Sequence, residues 1–240
     1  MQHAPTSRKR GSLTHVALVC NDTAVQPKLP QIVMGNERTL TATELTAIQL
    51  QNLPPNVQVW RRKSAWVTKD SMREILKAIW KCVFPYQKER QVVLLLDSHP
   101  CHLDPKFLAN CVRKKIWVVF VPAKLTWLLQ PLDTHAFSVY KRVLRADYCR
   151  LVQESATGRV SVAEVVGSLG RTIRKVLHRK VWKTAFEQNG FTTGTRRASK
   201  RVLSHLQWSH PPKISSELPS FAQSAFSHGA ASQGAHSPFS

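Results

Sequence analysis

The chain has 240 residues, with 35 Lys and Arg against 14 Asp and Glu, a formal charge of +21 and 42% apolar side chains. That apolar share excludes a disordered polycation, and no apolar run reaches the roughly 18 residues needed to span a bilayer. A folded domain this basic points to a polyanionic partner, nucleic acid before a membrane surface. Five scattered cysteines (Cys20, Cys82, Cys101, Cys111 and Cys149) without C-x-x-C spacing fit reduced thiols better than a disulfide framework.

In chain order, residues 1–11 are polar and basic, with no apolar core of a secretory signal. Ser7-Arg8-Lys9-Arg10 has the composition of a nuclear import patch, although such short clusters often arise by chance, and the expected location is the nucleus. Leu13 to Cys20 reads as a strand and Leu29 to Met34 as its return, with turn chemistry at Asn21-Asp22-Thr23. Prolines 27 and 30 predict an edge position for this hairpin. Asp22 is read as a turn residue rather than a metal ligand. Thr41 to Gln51 has a helical face, and Val57 to Arg61 is a short strand. From Lys69 to about Phe84, Met72, Ile75, Leu76, Ile79, Trp80 and Val83 recur at i, i+3, i+4 spacing. Trp66 and Trp80 are expected in the core.

The next stretch organises the rest. Val92 to Leu96 is a continuous aliphatic run ending at Asp97, the pattern of a strand buried on both faces. Asp104 as N-cap and Pro105 at the first helical position open a helix that closes near Lys114-Lys115. Ile116 to Val121 is a second strand. After Leu128-Leu129-Gln130-Pro131-Leu132 comes Asp133, with one long helix predicted from Leu132 to about Gln153. Phe137, Tyr140, Val143, Leu144, Tyr148 and Leu151 form its buried face. Ser161 and Glu164 are spaced as a capping box for a helix to Leu177. A third runs from Lys180 to Gln188, stopped by Asn189-Gly190. Residues 192–240 are basic, then rich in Ser and Pro, and predicted to be disordered.

An acid at the carboxyl end of a buried strand lies where open α/β sheets place ligands. Together with Asp133 it could hold Mg²⁺ or Mn²⁺, which take hard oxygen ligands and often use only one or two carboxylates. A cap or turn role for each acid is the plainer alternative. A zinc cluster of Asp97, His99, Cys101 and His102 lacks a clean second pair of ligands.

VVLLLDSHPCH at residues 92–102 and VFVPAKLTWLLQPLD at residues 119–133 resemble the DDE endonucleases and transposases of the mariner/pogo superfamily, in its pogo-, Tigger- and jerky-like branch. The hairpin of residues 12–35, KSAWVT at 63–68 and WKTAF at 182–186 with Gly190-Phe191 are similar to further segments of that family. The likeness runs over residues 12–191, and Gln130-Pro131-Leu132-Asp133 is its most specific part.

The resemblance implies an RNase H-like α/β fold: a mixed sheet flanked by helices over residues 12–155, a helical extension over 156–191, then the tail. It implies Mg²⁺-dependent DNA cleavage and strand transfer, with Asp97 as the second catalytic carboxylate and metal ligand and Asp133 as the third. It also implies a DNA partner and a homodimer. The family's first catalytic Asp sits on a strand before the hairpin. That strand, like the family's helix-turn-helix region, is expected upstream of Met1, so residues 1–240 read as a truncated or decayed copy or one with a misjudged start. Ser98 stands where Asn is usual. Two functions stay open: a metal-dependent endonuclease, and a transposase-derived DNA-binding protein without chemistry. Arg113, Lys114, Lys115, Lys141, Arg142, Arg145, Arg196, Arg197, Lys200 and Arg201 are the candidate DNA contacts, each with the solvated surface charge as its alternative.

Overall fold

A computed structural model of the chain describes residues 13–178, 181–191 and 199–205. Strands β1 (Leu13–Val16) and β2 (Gln31–Asn36) form the expected antiparallel pair, with Leu13 opposite Gly35 and Val16 opposite Ile32. Asp22 serves the connection as a turn residue: its carboxylate accepts the Ala24 N–H at 2.8 Å and pairs with Arg90. Helix α1 (Ala42–Gln49) carries the chain over to β3 (Val57–Arg62), which lies parallel to β2. The return strand is therefore central, not an edge. Pro27 sits in a short 3₁₀ turn and Pro30 just before β2, so neither removes a donor from the ladder.

Helix α2 (Lys69–Val83) starts at a Thr68–Ser71 capping box and buries Met72, Ile75, Leu76, Ile79 and Val83. Its apolar face packs in one cluster with Ile32 and Met34 of the first sheet and with Phe107 and Ile116 of the unit that follows. That unit is β4 (Val92–Asp97), α3 (Pro105–Arg113) and β5 (Ile116–Val121). Asp104 caps α3 by accepting the Phe107 N–H at 3.1 Å, and pairs with Arg73 of α2 at 3.2 Å. β4 and β5 run parallel, from Val92 opposite Ile116 to Asp97 opposite Val121. The α/β architecture is as expected, but the strands form two sheets, β1-β2-β3 and β4-β5.

Two expectations of burial fail here. Val93 is 53% exposed and Trp117 opposite it 66%, because one face of the β4-β5 pair has no covering layer among the described residues. Trp66 is exposed too, in the loop before α2, outside the helical spacing that buries α2's own residues.

Beyond β5 come α4 (Thr126–Leu129), α5 (Pro131–His135) and α6 (Phe137–Glu154). The single predicted helix is thus two, bent at the buried Ala136, whose N–H still reaches the Leu132 carbonyl at 3.0 Å. On α6 only Tyr140 is fully buried, and Tyr148 is exposed. Then follow α7 (Val162–Ile173), extended by a π turn to His178, α8 (Lys183–Gln188) and α9 (Lys200–His205). The Ser161–Glu164 capping box is formed. Helices α6, α7 and α8 share a second core that includes Trp182, Ile173 and Leu177, with Val33 from β2.

A polar strut joins the two parts. Gln31 Oε1 can only accept, so His15 Nε2 carries the proton in their 3.2 Å bond, and His15 Nδ1 accepts the Tyr140 hydroxyl at 2.7 Å. Burial pushes the His15 imidazole down to about 4, against the bond to Gln31, so the ring stays neutral at ordinary pH.

Asp147 ties α6 to α7. It accepts from Arg150 at 2.8 Å and, on the other helix, from Arg171 at 2.8 Å. Burial raises its pKa, but the nearby Ser168 hydroxyl and the two guanidiniums outweigh this and hold it at about 2. A depressed acid stabilises the fold above its ordinary titration range, and the contribution fades as pH falls through the folded value. Asp147→Asn should therefore lower the melting temperature at neutral pH. Thermal melts should show the difference from wild type closing between about pH 4 and pH 2.

Candidate active site

Asp97 ends β4 at the carboxyl edge of the parallel pair. Its Oδ1 accepts the His99 N–H at 3.1 Å and lies 2.7 Å from His102 Nδ1. The same ring nitrogen is 3.1 Å from the Asp97 carbonyl. Both partners are acceptors, so Nδ1 carries the proton and His102 donates. Oδ1 is thereby held by two donors, while Oδ2 has no hydrogen bond among the described residues and the side chain is 41% exposed. The carboxylate is oriented, with one oxygen left for a ligand. In the sequence His102 figured only as a member of the doubtful zinc cluster. The signal was the return of the loop to the strand end five residues after Asp97, in the Asp-x-x-x-x-His wording.

Asp133 arrives from the other side, in the short α5 that Gln130-Pro131 opens. It is exposed, and its pKa is raised: burial of part of the carboxyl is the largest cause, opposed by Lys141 and Thr126 and reinforced by the negative charge of Asp97. Asp97 and Lys141 of α6 both lie within electrostatic reach of Asp133. Gln130 to Leu132, just before Asp133, line the same cleft as Asp97 and His102. The sequence-predicted pair of acids is brought together.

The donor set suits a hard divalent cation. Two carboxylates with a free oxygen leave the remaining positions to water and phosphate, the usual arrangement for Mg²⁺. Among the described residues no group of three or more His, Cys, Asp or Glu side chains converges as a metal cage. In the candidate zinc cluster, His99 Nδ1 instead contacts Cys101 Sγ at 3.0 Å.

The candidate DNA contacts separate into groups. Lys141, Arg142 and Arg145 lie exposed along α6 and line one open groove of about 550 Å³. None of the three makes an ion pair among the described residues, whereas Arg150 on the same helix is consumed by Asp147 and Glu154. Arg113, Lys114 and Lys115 stand where β5 begins, about 17 Å of strand away from Asp97. Lys114 there stacks its ammonium 3.8 Å over the Trp80 ring. They are not brought to the acids. Arg201 is structural, donating to the Leu128 carbonyl at 2.9 Å, and Lys200 beside it is exposed at the start of α9. Arg196 and Arg197, like the Ser7–Arg10 patch and the Ser/Pro-rich tail after residue 205, lie outside the described residues.

A strand-helix-strand unit with an oriented carboxylate at its carboxyl end, and a second acid brought to it by the following helices, defines an α/β domain of RNase H-like type. The model of the DDE superfamily endonuclease family matches residues 12–192, and the chain belongs to that family. A mouse protein, "Pogo transposable element with KRAB domain", is 23% identical over 103 residues, which are 43% of this chain and 17% of that protein. The chain therefore spans about a sixth of the length of the relative it matches. No solved structure gives a significant match.

A carboxyl whose pKa is raised by partial burial and a like charge costs stability while ionised. Asp133→Asn is thus expected to raise the melting temperature at pH 7. The gain should vanish as pH falls through the raised folded value to below the ordinary carboxylate range, where Asp133 in the wild type is protonated in both states. Melts of the two proteins across that range check it.

Proposed function

We propose that this is a DNA-processing domain that lays a phosphodiester backbone along the basic groove of α6 and presents it to Asp97 and Asp133. The observation that carries the reading is one of placement: Asp97 and the Gln130–Leu132 run before Asp133 line one cleft, and the helix that follows Asp133 carries Lys141, Arg142 and Arg145 in one groove. The stripe begins at Lys141, which lies within electrostatic reach of Asp133. Lys141, Arg142 and Arg145 would bind the backbone without reading bases, since phosphate contacts position a duplex but carry no sequence information. His102 would hold Asp97 in one rotamer, so that Oδ2 faces the cleft.

Asp97 and Asp133 would hold Mg²⁺ or Mn²⁺, which when bound supplies Lewis-acid stabilisation of the charge that develops on phosphate oxygens. The chain's own residues then bind the substrate, orient the carboxylates and set their protonation. Ligation by this pair needs both carboxylates ionised, so activity would rise with pH through the range in which Asp133 loses its proton. Action on DNA in turn fits a nuclear protein, and a homodimer fits a class that joins two DNA ends.

A second reading has its own observation. The described residues bring two acids to the site, not three, and a two-acid site with an intact basic groove can bind DNA without cutting it. Nicking of supercoiled plasmid in Mg²⁺ or Mn²⁺ by the purified chain, beside Asp97→Ala and Asp133→Ala, decides between them. The endonuclease reading expects metal-dependent nicking that either substitution abolishes while DNA binding persists. Retained salt-sensitive binding with no nicking by any of the three proteins leaves the binding-only reading.

The groove makes a separate prediction. With Lys141, Arg142 and Arg145 all changed to Gln, the slope of log affinity against log salt should shrink by about 2.7, near 0.9 for each phosphate no longer neutralised. Arg113, Lys114 and Lys115 changed together should alter it far less. Binding isotherms of a duplex at several salt concentrations measure both.

A further inference from the structure

Helix α2 has two flanks with different company. Met72, Ile75 and Ile79 line the cleft beside Asp97, while Glu74, Lys77, Ala78 and Lys81 line a separate groove of about 740 Å³. The facing wall of that groove is β3, through Gln58 and Trp60, with Lys28 and Pro30 from the segment before β2. α2 packs on Ile32 and Met34 of β2, and β3 is the next strand outward. The groove therefore lies over the outermost strand of its sheet.

The free charge here has one sign. Glu74 is taken up by its ion pair with Arg62. Lys77 and Lys81 are exposed and make no ion pair among the described residues. Lys28 donates to the neutral Tyr86 hydroxyl at 2.8 Å. A groove of this kind attracts a chain that carries negative charge, either a nucleic acid or an acidic peptide.

Three features favour the peptide. The first is the state of Trp60, whose ring has the Arg62 guanidinium 4.9 Å from its centre and its Nε1–H bonded to Gln58 at 3.1 Å. The ring also packs against the α2 core. Single-stranded nucleic acid is held by stacking on aromatic faces, and this ring is already occupied. The second is the backbone of β3, which has a ladder only to β2. Its outer edge presents carbonyls as well as N–H groups, which repel phosphates but match another peptide backbone.

The third is spacing. Side chains on one face of an extended strand recur about every 6.6 Å. Lys77 and Lys81 stand four residues apart on α2, about 6 Å of helix rise. A strand laid along β3 turns every second side chain to the face of Gln58 and Trp60, toward α2. Acids at alternate positions would thus meet successive lysines. Val57 and Val59 point to the opposite face and pack in the second core, so the intervening positions suit apolar side chains. Arg61 and Arg62 on β3 discourage a second copy of this basic chain from pairing at the same edge.

We propose that the groove between α2 and β3 binds an acidic peptide of a partner protein. The peptide lies extended along the free edge of β3, with Asp or Glu at alternate positions against Lys77 and Lys81. β3's six residues set the length of the match. The proposal stands apart from the nucleic-acid reading, since it uses neither Asp97, Asp133 nor the groove of α6.

The test titrates the full chain against a fluorescent peptide with a six-residue core of alternating Val and Glu. One control has the same composition with its three Glu consecutive, and another is an oligothymidylate of equal charge. The expected result is saturable one-to-one binding of the alternating peptide, with hydrogen-exchange protection of amides within residues 57–62. Lys77→Gln with Lys81→Gln, both at exposed positions, should weaken it about fivefold or more with circular dichroism unchanged. The triple Gln variant of Lys141, Arg142 and Arg145 should bind it as wild type does.

Binding lost in the α6 variant and kept in the α2 variant would put the peptide in the other groove and overturn the proposal. Equal binding of the clustered-Glu peptide would also overturn it, because net charge alone would then suffice. An oligothymidylate that binds as tightly and protects the same amides would make the groove a nucleic-acid tract instead. Absence of saturable binding by the wild-type chain would leave no peptide site there.

Discussion

The fold depends on one helix face. No backbone ladder connects β1-β2-β3 to β4-β5 among the described residues, so their relation rests on α2, whose Met72, Ile75 and Ile79 pack against both. A sheet holds its members by hydrogen bonds of fixed geometry. A helix underlying two sheets holds them by apolar burial, which is strong but less directional. The Arg73–Asp104 pair adds a directional link, joining α2 to the cap of α3. The position of Asp97, at the end of β4, inherits its precision from these contacts. Truncating α2's buried face would thus disturb the site as much as the core, although no residue of α2 is an acid of the site.

Charge on this protein is divided by role, and the division is visible in who has a partner. Arg150 and Arg171 are spent on Asp147, at the seam of α6 and α7, and Arg201 on a carbonyl of α4. Lys141, Arg142 and Arg145 occupy the same α6 but carry no ion pair among the described residues. A net charge of +21 concentrated without compensation destabilises a compact chain by self-repulsion. Leaving a stripe of cations unpaired beside two carboxylates is a local arrangement of that kind, and an approaching phosphate backbone would relieve it. Exposed pairs elsewhere, such as Lys183–Glu187, contribute little either way.

Local rules made most of the elements legible. The Asp104 cap with Pro105, the Ser161–Glu164 box, the periodicity of α2 and the two aliphatic strands follow from residue-level physics and appear where it puts them. The two acids were legible because strand ends and the Gln130-Pro131-Leu132-Asp133 wording marked them. What failed was long-range. That β2 is central depends on α1 carrying the chain across to β3, and Val93's exposure depends on which neighbours β4 has. Neither is written within the segment concerned. His102 was missed for a similar reason: its role comes from a loop closing back onto Asp97, a tertiary contact with no periodic signature. The basic residues could be named but not sorted, since pairing with Asp147 requires two helices to meet.

The division of the sheet and the state of the candidate site are one structural question. A catalytic constellation has to be held to within about half an ångström by groups that are themselves locked. His102 locks the rotamer of Asp97, but β4 itself is held by a ladder on one side only, to β5, with its other edge open and part of one face exposed. A strand so placed can slide or tilt at lower cost than one paired on both sides, and any such motion carries Asp97 with it relative to Asp133. β1, in the other sheet, is anchored to α6 by the Tyr140–His15–Gln31 strut. α6 also carries Lys141, Arg142 and Arg145, so the cationic groove shares a frame with β1 that no backbone ladder extends to β4. The geometry of the two-acid site therefore depends on the apolar contacts that seat β4 on α2, and not on a continuous backbone ladder.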